Sequence, residues 1–167
     1  MIENLSFYLC ETDLGWVGLL LSPHGLRATT LPRDSRDEAL RELVELGATE
    51  PARDADLADL PERICALASG RYDNLAVHVD WNMGPSFRRE VLEETLRIPS
   101  GETRTYGWLA ERVGHPRAAR AVGRVMATNP LPLVVPCHRV VGSNGSLTGY
   151  GGGLQMKEAL LRAEGAL

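Results

Sequence analysis

Gly114 and Pro116 separate two stretches of helical periodicity, and this punctuation constrains the second half of the chain more than any other feature. Residues 106–113 read as a helix stopped by Gly114, which suits the left-handed turn after a helix end. After His115-Pro116-Arg117 a second helix begins and runs to about residue 128. Two helices joined by a short glycine-containing turn form the helix-turn-helix pattern. A helix over 87–98, stopped by Pro99, precedes the pair, and one over 154–163, with Gly165 as its stop, follows it.

The first half reads differently. Residues 5–10 and 16–21 are apolar, strand-length runs, and Asp13-Leu14-Gly15 between them supplies a turn, so a hairpin is expected. Residues 25–31 and 75–80 suggest further strands. Residues 35–47 carry Ala39, Leu40, Leu43, Val44 and Leu46 on one side of a helix, with Gly47 as its stop, and 60–69 suggest a second helix. The expected architecture is an α/β N-terminal subdomain, a small antiparallel sheet with helices, over 1–84. A mainly helical C-terminal subdomain containing the helix-turn-helix would occupy 85–167.

A chain of 167 residues suits one compact domain, or two small ones sharing an interface. Its net charge of −4 is unevenly placed. Through Gly84 there are seven arginines against fifteen acids, a net of −8; from Pro85 there are eleven basic residues against seven acids, a net of +4. Mild overall acidity argues against a nucleic-acid partner, but the asymmetry argues for a local basic footprint. No stretch approaches the roughly twenty apolar residues of a membrane span. Met1-Ile2-Glu3-Asn4 lacks signal-peptide features, and three scattered cysteines give no disulfide framework. A monomer in the reducing cytoplasm, with no membrane contact, is expected.

The helix after Pro116 has two unlike sides. Ala118, Ala121, Val122, Val125 and Met126 should face the core; Ala119, Arg120, Gly123, Arg124 and Ala127 face away. That outer face is nearly bare. An ordinary amphipathic helix would explain most of it, but a glycine at mid-helix costs about 1 kcal/mol relative to alanine. Close approach of another surface would account for Gly123.

Pro136-Cys137-His138-Arg139-Val140 carries the chemistry. A thiol attacks as the thiolate, and the usual activator is an imidazole oriented by a third group. A buried cysteine beside a surface histidine is the plainer reading of the pair taken alone. Glu164 falls between Leu160 and Leu161 on the apolar arc of the last helix, where a carboxylate needs a partner, unless the helix frays there.

This run, with its surroundings, resembles the active-site signature of the O6-alkylguanine-DNA alkyltransferases, the methylated-DNA–protein-cysteine methyltransferases. Pro85-Ser86-Phe87, Ile98-Pro99-Ser100-Gly101-Glu102, Thr105-Tyr106 and Ala118-Ala119-Arg120-Ala121-Val122-Gly123 fit the family in order before it. So do Asn129-Pro130 just upstream, and Gly145, Tyr150-Gly151-Gly152-Gly153-Leu154, Lys157-Glu158 and Glu164-Gly165 after it. The match spans about 85–165; the first half fits only in length and general character.

The resemblance implies single-turnover transfer of an alkyl group from guanine O6 in double-stranded DNA to Cys137, with the nucleotide flipped out of the helix. O4-alkylthymine is a second candidate lesion. His138 would be the base, acting through a water, with Glu164 orienting it, and the Cys137 thiol would titrate below a free cysteine. Asn129 would tie down the turn around the cysteine, and Arg139 would be structural. Tyr106 would hydrogen-bond the flipped base, and the carbonyls of Cys137 and Val140 would accept its amine. The loop of Tyr150, Gly151 and Gly152 would close over it, with the Gly151 amide near O6. Ala118, Ala119 and Gly123 would lie in the minor groove, Arg120 would fill the vacated stack, and Arg124 would meet a phosphate.

No cofactor is implied. Some relatives bind zinc near the N-terminus, but Cys10, His24 and His78 do not make a four-ligand set, and no metal is expected. Some relatives also carry a separate cysteine-rich domain that senses methylphosphotriesters, for which this sequence has no counterpart. Gly151 stands where some members carry serine, which should loosen the loop. The alternatives are a non-catalytic lesion sensor or helix-turn-helix regulator, and a cysteine hydrolase. The known non-catalytic relatives lack the cysteine, and adjacent Cys-His pairs seldom form a hydrolase dyad.

Overall fold

The computed structural model describes residues 3–71 and 77–167. Strands β1 (Ser6–Thr12) and β2 (Gly15–Ser22) form the expected hairpin around Asp13-Leu14. Gly15 has φ of +127°, and a Cβ there would stand 2.5 Å from the Arg33 carbonyl oxygen. Strand β3 (Gly25–Thr29) pairs antiparallel with β2. A two-residue strand, β4 (Glu50–Pro51), adds on the far edge parallel to β1, giving the order β3-β2-β1-β4. The sheet is therefore mixed, where the sequence suggested an antiparallel one. Proline, which cannot donate to a ladder, sits on its edge.

Helix α1 (Arg36–Glu45) is capped by Ser35, whose hydroxyl accepts from the Glu38 N–H at 3.2 Å. It buries Ala39 and Leu43 against Leu5, Leu9, Leu20 and Ala28. Gly18 of β2 admits this helix closely, since a Cβ there would stand 2.6 Å from Leu43. Val17, Leu19 and Leu21 alternate with Leu20 and point to the opposite face. Val44 and Leu46, expected on the buried side of α1, are 56% and 48% exposed. Val44 lies about 140° round the helix from Ala39, and Leu46 is the C-cap, where the chain has left the helix.

Helices α2 (Asp54–Leu57) and α3 (Leu60–Ala68) close the other side. Of the strand expected over 75–80, residues 75 and 76 lie outside the described residues. Beyond them, Val79 makes a single parallel bridge to Leu26.

The second half is α4 (Phe87–Leu96), β5 (Arg104–Thr105), α5 (Tyr106–Arg112), α6 (Ala119–Ala127), β6 (Val140–Val141) and α7 (Leu154–Ala163). Ser86 caps α4 and Thr105 caps α5. Gly114 ends α5 at φ +84°, as the punctuation predicts. Strands β5 and β6 pair in parallel, Arg104 opposite Val140 and Thr105 opposite Val141, an association that the sequence did not suggest. Everything from Leu131 to Val141 is buried. One continuous core joins Val17, Leu26 and Ile64 from the first half to Val91, Leu109, Val122, Val135 and Leu160 from the second. Among the described residues, no helix is long and apolar enough to cross a membrane.

Candidate active site and DNA-facing surface

The segment from Asn129 to Pro136 positions Cys137. Pro130, Pro132 and Pro136 carry no N–H, so the segment lacks three backbone donors. Asn129 substitutes for one: its Nδ2 donates to the Val135 carbonyl at 3.0 Å, and its Oδ1 accepts from the Leu131 N–H at 2.9 Å. This is the turn-tying arrangement expected of Asn129. Leu133, buried, sits at φ +75°, which a leucine adopts only when its surroundings enforce it. The Cys137 N–H donates to the Val135 carbonyl at 2.7 Å. Cys137 then opens a single 3-10 turn (Cys137–Arg139) and is 8% exposed.

His138 and Glu164 meet as expected. His138 Nε2 lies 2.8 Å from Glu164 Oε1, and both side chains are 1% exposed. A carboxylate only accepts, so Nε2 carries the imidazole proton and Nδ1 keeps its lone pair. Nδ1 is buried and has no protein partner among the described residues. Glu164 is the C-cap of α7, held under the site rather than frayed.

Arg139 ties Glu164 to the Ile98 carbonyl. Its Nε donates to Glu164 Oε2 at 2.9 Å, its Nη2 to Oε1 at 2.7 Å and its Nη1 to the Ile98 carbonyl at 2.7 Å. Burial pushes the Glu164 carboxyl up, but the hydrogen bonds and charges of His138 and Arg139 outweigh it and hold it at about 2. Burial pulls the His138 imidazole down, with Glu164 opposing. Burial pushes the Cys137 thiol up, with Asn129 and the Lys157 charge opposing. Burial thus pushes the thiol the opposite way from the depression that the resemblance implies, and it favours thiol and neutral imidazole because it penalises both charged forms.

Lys157, part of the resemblance but given no role there, lies buried beside the site. It is 0% exposed, and its Nζ donates to the Val140 carbonyl at 2.6 Å and the Thr148 carbonyl at 2.8 Å. The available signal was a lone lysine one turn before Leu160 and Leu161, on the face that ends at Glu164. Val140 O and Cys137 O, expected to receive the guanine amine, each already accept one bond, from Lys157 and from the Val140 N–H. Each keeps a second lone pair.

The β5–β6 pairing sets Tyr106 beside this strand, and its hydroxyl accepts from Thr148 Oγ1 at 3.0 Å. The Tyr150 hydroxyl is buried without a protein partner among the described residues. Gly151 abuts the first half of the chain, since a Cβ on it would stand 2.8 Å from Leu31 Cδ1; one on Gly152 would meet the Met156 sulfur at 2.5 Å. Among the described residues, no group of three or more His, Cys, Asp or Glu side chains gathers as a metal site.

Helix α6 divides as the wheel predicts at its larger side chains, but Ala118 and Ala121, expected to face the core, are half-buried like Ala119 and Gly123 on the other side. Val122, Val125 and Met126 are buried; Arg120, Arg124 and Ala127 are exposed; Ala118, Ala119, Ala121 and Gly123 are intermediate. Arg120 and Arg124 make no ion pair among the described residues. A Cβ on Gly123 would meet nothing within 4 Å, so packing inside the protein does not demand glycine there. Arg88 secures the far end of the helix, its Nη1 donating to Thr128 Oγ1 at 2.6 Å.

Comparison with known proteins places this arrangement. The sequence profile described as "6-O-methylguanine DNA methyltransferase, DNA binding domain" matches residues 86–166. A protein of Mycolicibacterium paratuberculosis named methylated-DNA–protein-cysteine methyltransferase is 42% identical over 150 residues, 86% of this chain and 88% of that protein. The crystal structure of Mycobacterium tuberculosis O6-methylguanine methyltransferase superposes with a TM-score of 0.79 at 31% identity, covering 97% of this chain and 93% of that one. Mycobacterium tuberculosis OGT in complex with DNA gives 0.77 at 34% identity, covering 96% and 93%.

Proposed function

The chain belongs to the methylated-DNA–protein-cysteine methyltransferase family, and from that premise we propose that it repairs duplex DNA by moving an alkyl group from guanine O6 to the Cys137 sulfur, once per molecule. The observation that carries this reading is His138, directly after Cys137, fixed by Glu164 at 2.8 Å in a site closed to solvent.

The lesion lies inside the duplex, so the nucleotide must be flipped into the protein. Helix α6 enters the minor groove by its bare face, Arg120 takes the vacated place in the stack, and Arg124 meets a phosphate. Tyr106 and the Tyr150–Gly152 loop hold the flipped base, and the second lone pairs of Cys137 O and Val140 O receive its amine. The thiol proton passes through water to His138 Nδ1 as sulfur attacks the alkyl carbon in line. The S–C bond forms while the C–O6 bond breaks, and a proton returned to the base leaves neutral guanine and a thioether. Proton transfer in step with attack suits a thiol that burial holds protonated. Nothing cleaves the thioether to restore the thiol, so the protein is consumed.

In this reading residues 85–167 bind DNA and react, and residues 1–84 support them. The protein works as a monomer in the cytoplasm, where its thiols stay reduced. The lesion-sensor alternative is disfavoured because the nucleophile is present. The test is to mix the protein with a duplex containing O6-methylguanine, digest it and weigh the Cys137 peptide. A gain of one CH2 on that peptide is expected; an unmodified peptide beside an unrepaired duplex refutes the reading.

A further inference from the structure

Among the described residues the first half of the chain makes no side-chain hydrogen bond to Cys137, His138 or Glu164, yet its sheet grips the segment that carries the cysteine. Thr29, the last residue of β3, is 4% exposed. Its backbone N–H donates to the Pro130 carbonyl at 2.9 Å, and its Oγ1 donates to the Pro132 carbonyl at 2.8 Å. One residue thus holds two carbonyls, two positions apart, in a segment whose prolines leave it short of donors.

The segment's own bonds run from Asn129 and from the Val135 N–H to the Leu131 carbonyl, 2.8 Å. Pro132 forms a bridge with Val135, whose carbonyl receives the Cys137 N–H. A short bonded path therefore leads from Thr29 through Pro132 and Val135 to the nucleophile. It also flanks Leu133, whose left-handed backbone needs outside restraint. The anchor is itself fixed: Thr30 Oγ1 accepts from the Gly18 N–H at 2.9 Å, tying this strand end to β2. Two residues on, Leu31 meets the Gly151 loop on the other side of the site.

We propose that Thr29 is a positioning residue for alkyl transfer, its hydroxyl fixing the 129–136 segment so that the Cys137 sulfur stands at attack distance. The proposal rests on the function argued above. It requires the hydroxyl, not merely a side chain of threonine shape. Thr29→Val keeps the shape and removes the donor; Thr29→Ser keeps the donor and removes a methyl.

Single-turnover transfer from free O6-benzylguanine is measured at increasing concentration, below the melting temperature of every variant. A misplaced nucleophile slows the limiting rate without weakening substrate binding, and small misplacements are costly. Thr29→Val should lower the limiting rate about tenfold or more, with the half-saturating concentration within about twofold, and Thr29→Ser should restore most of the rate. Ile64→Val, a buried change in α3, controls for general loss of stability. If Thr29→Val does not fold, Thr29→Ala is judged by the same criteria.

The proposal fails if the limiting rate of Thr29→Val is unchanged, if Thr29→Ser is as slow as Thr29→Val, or if Ile64→Val loses as much. Absence of benzyl transfer in the wild type would instead refute the function. Transfer by the wild type and by Thr29→Val at equal rates would refute only the role of Thr29.

Discussion

Arg139 and Glu164 form a two-pronged buried ion pair, with Nε to Oε2 at 2.9 Å and Nη2 to Oε1 at 2.7 Å, and the same Oε1 receives His138. The carboxylate that holds His138 is thus neutralised by a guanidinium rather than by the imidazole. A permanently charged partner keeps Glu164 ionised while His138 stays neutral and able to take a proton.

This pair makes stability depend on acid. The Glu164 carboxyl falls from 4.5 to about 2 on folding, so its contribution is fully present above pH 4.5 and drains away as pH falls toward 2. At 1.36 kcal/mol per unit the contribution is on the order of 3 kcal/mol. Glu164→Gln should lack this acid limb and, by leaving Arg139 buried with its charge unpaired, should lose about 3–5 kcal/mol at neutral pH. Urea melts of both proteins from pH 2 to 7 test this; parallel pH profiles would contradict it.

The thiol should titrate high. Burial raises it, so iodoacetamide should modify Cys137 with a pH midpoint above that of free cysteine. Lys157→Met removes an opposing charge and should move the midpoint higher, while leaving the Val140 and Thr148 carbonyls unpaired at about 1–3 kcal/mol each. A wild-type midpoint at or below that of free cysteine would mean that polar neighbours outweigh burial.

Arg120→Ala should slow reaction with a duplex far more than reaction with free O6-benzylguanine. The free base needs no flipping, and Arg120 is exposed on α6, away from the Glu164 pair. Parallel rates on both substrates would reveal equal loss, and so a structural arginine.

The spent protein should melt at lower temperature. Cys137 is packed among buried residues from Leu131 to Val141, and adding carbon to a filled site costs about 1–3 kcal/mol. Melts before and after reaction with O6-benzylguanine test this. An unchanged or raised midpoint would mean that the site has room for the product.

What the sequence made legible was local. Helix boundaries followed from apolar spacing and from stops such as Gly114 and Pro99, and the caps that start the helices, Ser35, Ser86 and Thr105, bond within a few positions of those starts. The Cys137, His138 and Glu164 grouping was legible through the family resemblance, with which a carboxylate on an apolar helix face, in need of a partner, agrees. Pairings between distant short segments were not. Strands β5 and β6 have two residues each and no periodicity. The burial of Lys157 depends on carbonyls at 140 and 148, and the grip of Thr29 on carbonyls a hundred residues away. The push of burial on the thiol depends on how deeply the 131–141 segment lies in the core, which residue types alone do not reveal.

The central claim is stoichiometric, site-specific and irreversible transfer. It is tested most directly by adding a large excess of duplex containing O6-methylguanine and counting methyl groups on the Cys137 peptide against guanines restored. One methyl per protein molecule, all on Cys137, one guanine restored for each, and none with Cys137→Ser, is the result this account predicts. Restoration continuing beyond one guanine per molecule, or proceeding in Cys137→Ser, would contradict it.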